Sequence, residues 1–126
     1  MNVPENLRYT KDHEWILIDG KTGTIGITDY AQEELGDIVF VELPGQGTKI
    51  TAGETFGTIE AVKAVSDLVA PVSGTVESVN TDLEGTPELV NQDPYGKGWM
   101  LKVTLSGQPD QASLLDQGAY RKHVGK

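Results

Sequence analysis

The chain has 126 residues, carries 19 acids against 10 bases for a formal net charge of −9, and contains no cysteine. This length suits one domain, which we expect to span residues 1–126, and the absence of thiols excludes disulfides, thiolate metal sites and cysteine nucleophiles. The acidic balance argues against a nucleic-acid binder, which needs a basic face; it fits either docking on basic partner surfaces or simple solubility.

Targeting signals are not evident in the sequence. No apolar run approaches the roughly 18 residues of a membrane-spanning segment. Residues 1–11 (MNVPENLRYTK) resemble neither a signal peptide nor an Arg-rich transit peptide. We therefore expect a cytoplasmic protein whose partners include no membrane.

Short strand patterns recur along most of the chain, separated by glycine-rich turns. We predict strands at 7–10, 14–18, 24–27, 37–43, 48–50, 54–60, 66–70, 75–79 and 99–105. Asp19-Gly20 is a hairpin signal between the second and third of these. Residues 37–43 (DIVFVEL) have two largely apolar faces, which predicts a central strand of a sandwich. The whole pattern predicts an all-β sandwich or barrel.

Helical signals are few and short. Thr28-Asp29 offers an N-cap to a helix at 30–35, and Gly36 suits its C-terminal end. Residues 80–98 are rich in Asn, Asp, Pro and Gly and predict mostly loop. The tail from Pro109 contains apolar residues that predict one or two short C-terminal helices.

No catalytic set and no metal site assembles from the sequence. The phosphate-binding, zinc-protease and serine-hydrolase motifs are absent. His13 and His123 are far apart in the chain, and a lone histidine beside an acid is usually structural. The carboxylates of residues 84–93 do not have the spacing of a calcium loop.

One lysine stands out because it lies within an otherwise apolar stretch. Lys63 falls between the predicted strands 54–60 and 66–70, in the segment GTIEAVKAVSDLVAPVSG (57–74). It should therefore occupy the end of a hairpin, exposed on a rigid base and reachable by a modifying enzyme. The alternative is an ordinary surface lysine with a solvated amine.

The order of motifs resembles that of the glycine cleavage system H proteins over about residues 3–120. Besides the lysine segment, the matching stretches are LRYTKDHEW (7–15), TIGITDYAQ (24–32), LGDIVFVELP (35–44), APVSGTVESVN (70–80) and PELVNQDPYGKGW (87–99). The resemblance implies a flattened barrel-sandwich hybrid of two antiparallel sheets, like that of lipoyl and biotinyl carriers. It also implies that Lys63 carries lipoic acid through an amide, with Glu60 and Gly74 as recognition marks for the lipoylating enzymes.

The function implied by the resemblance is that of a shuttle without catalytic activity of its own. A pyridoxal-phosphate glycine decarboxylase would load an aminomethyl group on the lipoyl arm, and an aminomethyltransferase would pass its methylene to tetrahydrofolate. A dihydrolipoyl dehydrogenase using FAD and NAD would reoxidise the arm. Lipoate ligase, or octanoyltransferase with lipoyl synthase, would attach the group.

The resemblance also implies a groove that shelters the loaded arm. Glu14 and Asp67 match family positions associated with that groove, and we interpret them as contacts of the positively charged amine. Tyr30 and Ala61 depart from residues common in the family and suggest a variable rim. Asp12 also departs from the family pattern, and could either add a third acid to the groove or lie on its surface.

Three alternatives remain open on the sequence. A biotinyl carrier shares the architecture, but its lysine usually lies between methionines, and here the neighbours are Val62 and Ala64. The chain could instead act mainly as a donor of lipoyl groups to other complexes. A hydrolase or ligand-binding β-domain could use His13, Glu14 and Asp67.

Overall fold

The computed structural model describes residues 2–107 and 114–125 and has nine strands and four helices within them. The strands are β1 Arg8–Tyr9, β2 Glu14–Asp19, β3 Thr22–Ile27, β4 Ile38–Glu42, β5 Lys49–Ile50, β6 Thr55–Ala61, β7 Val65–Val69, β8 Gly74–Val79 and β9 Leu101–Leu105. The helices are α1 Asp29–Leu35, α2 Asp82–Gly85, α3 Leu89–Gln92 and α4 Gln117–Val124. In this part of the chain no helix is long and apolar enough to cross a membrane.

The described strands form two antiparallel sheets. The larger has the order β1-β2-β3-β9-β8-β5, and the smaller has the order β4-β6-β7. The expected hybrid of two antiparallel sheets is therefore confirmed. The predicted hairpin after β2 is also confirmed, because Asp19 pairs with Thr22 and Gly20 adopts the left-handed conformation (φ 63°) that the turn requires.

The main core lies between the two sheets. Inward side chains of the larger sheet, among them Ile25 and Leu101, belong to one buried cluster with Ile59 and Leu68 of the smaller sheet. Burial of aliphatic side chains of this size contributes roughly 1.5–3 kcal/mol each. This core gives the smaller sheet a rigid base.

A second buried cluster attaches the C-terminal helix. The Tyr120 ring of α4 stacks on Tyr9 with the ring centroids 4.7 Å apart, and Trp15 belongs to the same cluster. Asp116 caps α4 by accepting a 2.8 Å hydrogen bond from the backbone N–H of Ala119. The prediction of a C-terminal helix is confirmed for 117–124, whereas residues 108–113 lie outside the described part of the chain.

Helix α1 matches its sequence signals. The Thr28 hydroxyl accepts a 3.1 Å hydrogen bond from the backbone N–H of Ala31, and Gly36 ends the helix at φ 81°. The Tyr95 hydroxyl accepts from the backbone N–H of Asp29 and donates to the Asn2 carbonyl, so its loop is fixed to the start of the helix.

Two local predictions are wrong, and a third is incomplete. Strand β4 is an edge strand rather than a central one, and an irregularity of its register between Ile38 and Phe40 leaves both Val39 and Phe40 exposed. Residues 80–98 are mostly loop, as predicted, but they also contain the one-turn helices α2 and α3, the first of which is closed by a hydrogen bond from the Thr86 N–H to the Asp82 carbonyl. The last strand begins at Leu101 rather than at residue 99.

Candidate functional site

Lys63 lies at the end of the hairpin formed by β6 and β7, as the sequence predicts. The backbone N–H of Ala61 donates a 2.7 Å hydrogen bond to the Ala64 carbonyl, which closes the loop. The N–H of Val62 donates to the Asp37 carbonyl at 3.0 Å, which ties the loop to the residue that precedes β4. Lys63 is therefore an exposed side chain on a backbone fixed at two points.

The Lys63 side chain folds over the end of helix α1. Its Cε lies 3.0 Å, and its Nζ 3.7 Å, from the place where a Cβ on Gly36 would stand. Glycine is favoured at position 36 because the φ of 81° disfavours any residue with a side chain. The amine thus rests at the C-terminal end of a helix, where the helix dipole favours a positive charge.

Glu60 is exposed and lies beside the lysine loop on the outer face of the smaller sheet. It pairs across β6 and β4 with Phe40 and across β6 and β7 with Val65. Side chains directly opposite each other in antiparallel strands share a face. The three residues therefore form one row across the sheet.

Gly74 has a structural reason to be glycine. It is buried at the start of β8 in the larger sheet, and a Cβ there would collide with the backbone carbonyl oxygen of Thr104. Because a backbone atom cannot move aside cheaply, this contact excludes a side chain. Glycine at position 74 is therefore a packing requirement of the larger sheet.

Glu14 is a buried carboxyl group with two hydrogen-bond donors. Its side chain is only 2% exposed, Thr10 Oγ1 donates to its Oε1 at 2.7 Å, and the backbone N–H of Val69 donates to its Oε2 at 3.3 Å. Burial raises the pKa of this carboxyl from 4.5 to about 8, against the opposing effect of the two hydrogen bonds. The group therefore holds a proton near neutral pH.

Asp67 lies on the strand that Glu14 contacts. It is exposed on β7, two residues before Val69, so the two positions are roughly 7 Å apart along the strand. A cleft of about 440 Å³ opens beside this strand and is lined by Thr10, Lys11, Asp12, Ala52, Gly53, Val69, Ala70 and Pro71. The structure thus brings Glu14, the strand of Asp67 and the cleft into one region, with exposed Asp12 at its surface.

His13 belongs to a different cluster. Its Nδ1 and the Tyr120 hydroxyl form a 2.9 Å hydrogen bond, and its ring centroid lies 5.6 Å from that of His123. The Tyr120 hydroxyl also bonds to Thr28 Oγ1 at 2.7 Å. Because Glu14 bonds instead to Thr10 and Val69, the histidine and the two acids do not assemble as the hydrolase alternative requires.

Burial lowers the pKa of His13, and nearby His123 lowers it further. Asp12 and Glu34 oppose this effect. His13 is also the one described residue other than glycine with a positive φ, at 70°. Among the described residues, no group of three or more His, Asp or Glu side chains could hold a metal ion.

Sequence reasoning missed two residues of this region. Thr10 lies in the LRYTKDHEW stretch, and its signal is a hydroxyl four residues before an acid, which can donate a hydrogen bond to the carboxyl. Phe40 has no role in the sequence analysis beyond its place in the predicted central strand, because an apolar residue in a strand gives no signal that its face is open to solvent.

The two antiparallel sheets and the exposed lysine at a hairpin end place the chain in the class of all-β barrel-sandwich hybrids, the fold of lipoyl and biotinyl carriers. The family model described as "Glycine cleavage H-protein" matches residues 7–126. A glycine cleavage system H protein of Rubrobacter xylanophilus is 63% identical over 122 residues, which are 97% of this chain and 94% of the relative. Another, of Carboxydothermus hydrogenoformans, is 57% identical over 95% of this chain and 92% of the relative.

Solved structures agree with the sequence comparisons. The crystal structure of a glycine cleavage system H protein from Mycobacterium marinum superposes with a TM-score of 0.91 at 41% identity, covering 98% of this chain and 100% of that one. The chain belongs to the glycine cleavage H-protein family, whose members are lipoyl carriers in glycine cleavage. The resemblance seen in the sequence is confirmed.

Proposed function

We propose that this chain is the non-catalytic lipoyl-bearing shuttle of glycine cleavage in the cytoplasm, with lipoic acid joined to Lys63. It receives the aminomethyl group from the pyridoxal-phosphate glycine decarboxylase and delivers it to the aminomethyltransferase that uses tetrahydrofolate. Dihydrolipoyl dehydrogenase, with FAD and NAD, then restores the arm. The observation that carries the proposal is the exposed Lys63 on a hairpin fixed by the Ala61–Ala64 and Val62–Asp37 hydrogen bonds.

The residues present fit such a group. When attached, its dithiolane supplies the redox and group-carrying chemistry. The chain contributes an exposed amine on a rigid attachment point. Because the chain has no cysteine, no protein thiol can exchange with the arm. Attachment also raises the effective concentration of the arm at each partner enzyme.

The groove for the loaded arm is proposed along strand β7. From Val65, beside the lysine loop, to Val69, beside Glu14, the strand covers roughly 13 Å. An arm that follows this strand passes exposed Asp67 and reaches the cleft beside the buried Glu14 carboxyl. Asp67 and Glu14 would hold the positively charged amine, and the cleft would limit its contact with water.

Binding of the amine at Glu14 should be coupled to the release of a proton from its carboxyl group. Burial keeps the group neutral in the empty groove, with a pKa of about 8. A cation within about 4–6 Å favours the charged carboxylate. The arrival of the amine would therefore release the Glu14 proton, so retention of the loaded arm should strengthen between pH 6 and 8.

Glu60 is proposed as a contact of the lipoylating enzymes, whether lipoate ligase or an octanoyltransferase followed by lipoyl synthase. Its exposed position beside the Lys63 loop supports this role. For Gly74 the same role is proposed from the family pattern alone. Because a Cβ at this position would meet the Thr104 carbonyl oxygen, a Gly74 variant can fail by losing stability as well as by losing recognition, and the two effects have to be measured separately.

Reconstitution tests the shuttle role. The lipoylated chain is mixed with the three partner enzymes and glycine labelled at its methylene carbon, and label in methylenetetrahydrofolate is measured. We expect transfer with the wild type and with Lys49→Arg, a matched change of another exposed lysine, and none with Lys63→Arg. Equal transfer with Lys63→Arg would refute the proposed attachment site.

The groove is tested by the lifetime of the loaded arm. We expect Glu14→Gln and Asp67→Asn together to shorten the time for which the aminomethyl group survives without acceptor enzyme. Glu33→Gln, a change of an exposed acid on α1, serves as the control. An unchanged lifetime in the double variant would remove both acids from the proposed groove.

A further inference from the structure

The outer face of the smaller sheet carries an ordered surface beside Lys63. We define the hairpin face by six residues: Phe40 and Glu42 of β4, Thr58 and Glu60 of β6, and Val65 and Asp67 of β7. Register places these residues in two adjacent rows, one of Phe40, Glu60 and Val65 and one of Glu42, Thr58 and Asp67.

Apolar exposure is concentrated at this face and the adjoining loop. Phe40 is 48% exposed and Val65 68% exposed, and the other large exposed apolar residues include Val62 of the lysine loop and Val39 of β4. Aromatic side chains with this much free surface are typical anchors of protein interfaces. The patch is therefore suited to a partner that contacts the end of the hairpin.

The charged side chains on the strands of the smaller sheet are all acidic. Strands β4, β6 and β7 contain the acids Glu42, Glu60 and Asp67 and, along their whole described length, no lysine or arginine. A partner with complementary charge would present basic residues around an apolar pocket. Its association should weaken as salt screens these charges.

The reach of the lysine side chain decides which partner this is. An unmodified lysine extends its amine on only a four-carbon stem, so the enzyme that acylates Lys63 must bring its catalytic groups to the hairpin end. The row nearest the loop, formed by Phe40, Glu60 and Val65, is then in contact with that enzyme. An enzyme that acts on the far end of the finished arm can dock elsewhere.

We propose that the hairpin face is the docking surface for the enzyme that acylates Lys63, and that Phe40 is its apolar anchor. This inference rests on the proposed attachment of lipoate to Lys63. In the reaction, the Lys63 amine loses a proton and forms an amide with the carbonyl carbon of an acyl adenylate, and AMP leaves. Phe40 comes from a strand more than 20 residues before the lysine, so it adds a contact that lies outside the lysine segment.

Acylation kinetics test the inference with the full, unmodified chain. Purified lipoate ligase, ATP and lipoate are supplied, and initial rates are followed by intact mass. Phe40→Ser should lower kcat/KM about tenfold, mainly through KM, as loss of an interface anchor does. Leu17→Ser is the matched control, because Leu17 is a 37%-exposed apolar residue of the larger sheet, and it should stay within twofold of the wild type.

A second variant covers the possibility that Phe40→Ser disturbs the sheet. Glu42→Lys keeps the aromatic ring and reverses one charge of the hairpin face, so it should slow acylation at low salt and reduce the dependence of the rate on salt. The thermal unfolding midpoint of each variant is measured alongside.

The outcomes separate the two proposals. If Lys63→Arg abolishes acylation while Phe40→Ser and Glu42→Lys match the wild type, the docking surface is wrong and the attachment site stands. If the wild type is not acylated, both are overturned. Normal acylation of Phe40→Ser, with slow oxidation of its dihydrolipoyl arm by dihydrolipoyl dehydrogenase and NAD, would assign the face to another enzyme and also overturn the inference.

Discussion

Thr10 Oγ1 donates a 2.7 Å hydrogen bond to Oε1 of Glu14, while the same oxygen accepts from the backbone N–H of Glu14 at 3.2 Å. The hydroxyl therefore fixes both the backbone and the carboxyl of the buried acid. Through the second carboxyl oxygen, Glu14 holds the backbone N–H of Val69 on β7. The groove proposed for the loaded arm is thus built from a short turn and the edge of one strand.

Thr10→Val should weaken this arrangement, because valine has a similar shape but cannot donate to Glu14. We expect a loss of about 1–3 kcal/mol in the free energy of unfolding, with a shorter lifetime of the loaded arm. Thr10→Ser, which keeps the hydroxyl, should restore most of both. Denaturant unfolding and the lifetime assay measure the two effects, and equal behaviour of the valine and serine variants would contradict the role of the hydrogen bond.

Glu14 should make stability depend on pH in an unusual direction. Because its pKa rises from 4.5 to about 8 on folding, the folded state holds a proton that the unfolded state has released across that window. Its contribution is fully present below about pH 4.5 and is lost as the pH rises through about 8. The slope approaches about 1.4 kcal/mol per pH unit for one proton.

The variant Glu14→Gln isolates this contribution, since the amide cannot ionise. The difference in unfolding free energy between variant and wild type should move in favour of the variant as the pH rises from 5 to 8. Parallel stability curves for the two proteins would show that Glu14 is ionised in the folded state.

His13 should make the folded state less stable as the pH falls, which is opposite to the effect of Glu14. Burial and His123 lower its pKa, so the folded state favours the neutral ring. The stability it contributes is present above its ordinary pKa of 6.5 and declines as the pH falls below that value. Tyr120 of α4 bonds to this ring, so acidification should loosen the C-terminal helix first.

Hydrogen exchange of α4 between pH 5 and 7.5 measures this effect. His13→Asn, which tolerates the positive φ at this position, should remove most of the pH dependence of α4 protection. Protection that falls with acid equally in both proteins would assign the effect to other groups.

Gly74→Ala should destabilise the fold whatever its effect on lipoylation. A Cβ there meets the carbonyl oxygen of Thr104, and overpacking of this kind costs about 1–3 kcal/mol. Gly85→Ala, where a Cβ meets nothing within 4 Å, is the matched control and should have a smaller effect. A wild-type unfolding midpoint for Gly74→Ala would leave recognition as the sole reason for glycine at this position.

The fold was largely predictable because its signals are local. Asp19-Gly20 fixes a hairpin, and Thr28 with Gly36 brackets a helix, each through its own backbone requirement. The order of strands is not local. The apolar pattern of β4 was therefore compatible with a central strand, although the strand lies at an edge and leaves Phe40 in solvent.

In the candidate site too, local features were predictable from the sequence and long-range contacts were not. The hairpin position of Lys63 follows from the strands on either side of it, so sequence reasoning found it. The contact between Glu14 and the backbone of Val69 joins residues 55 apart in the chain, and that of His13 with Tyr120 joins residues 107 apart. No spacing rule predicts such contacts, because they depend on how the sheets and α4 pack.

The central claim is that Lys63 carries the lipoyl group, and intact mass tests it most directly. The chain is produced with lipoate and an active lipoate ligase, beside Lys63→Arg and the control Lys49→Arg. We predict a mass increase of one lipoyl group in the wild type and in Lys49→Arg, and none in Lys63→Arg. A full lipoyl increase in Lys63→Arg, or none in the wild type, would contradict the account.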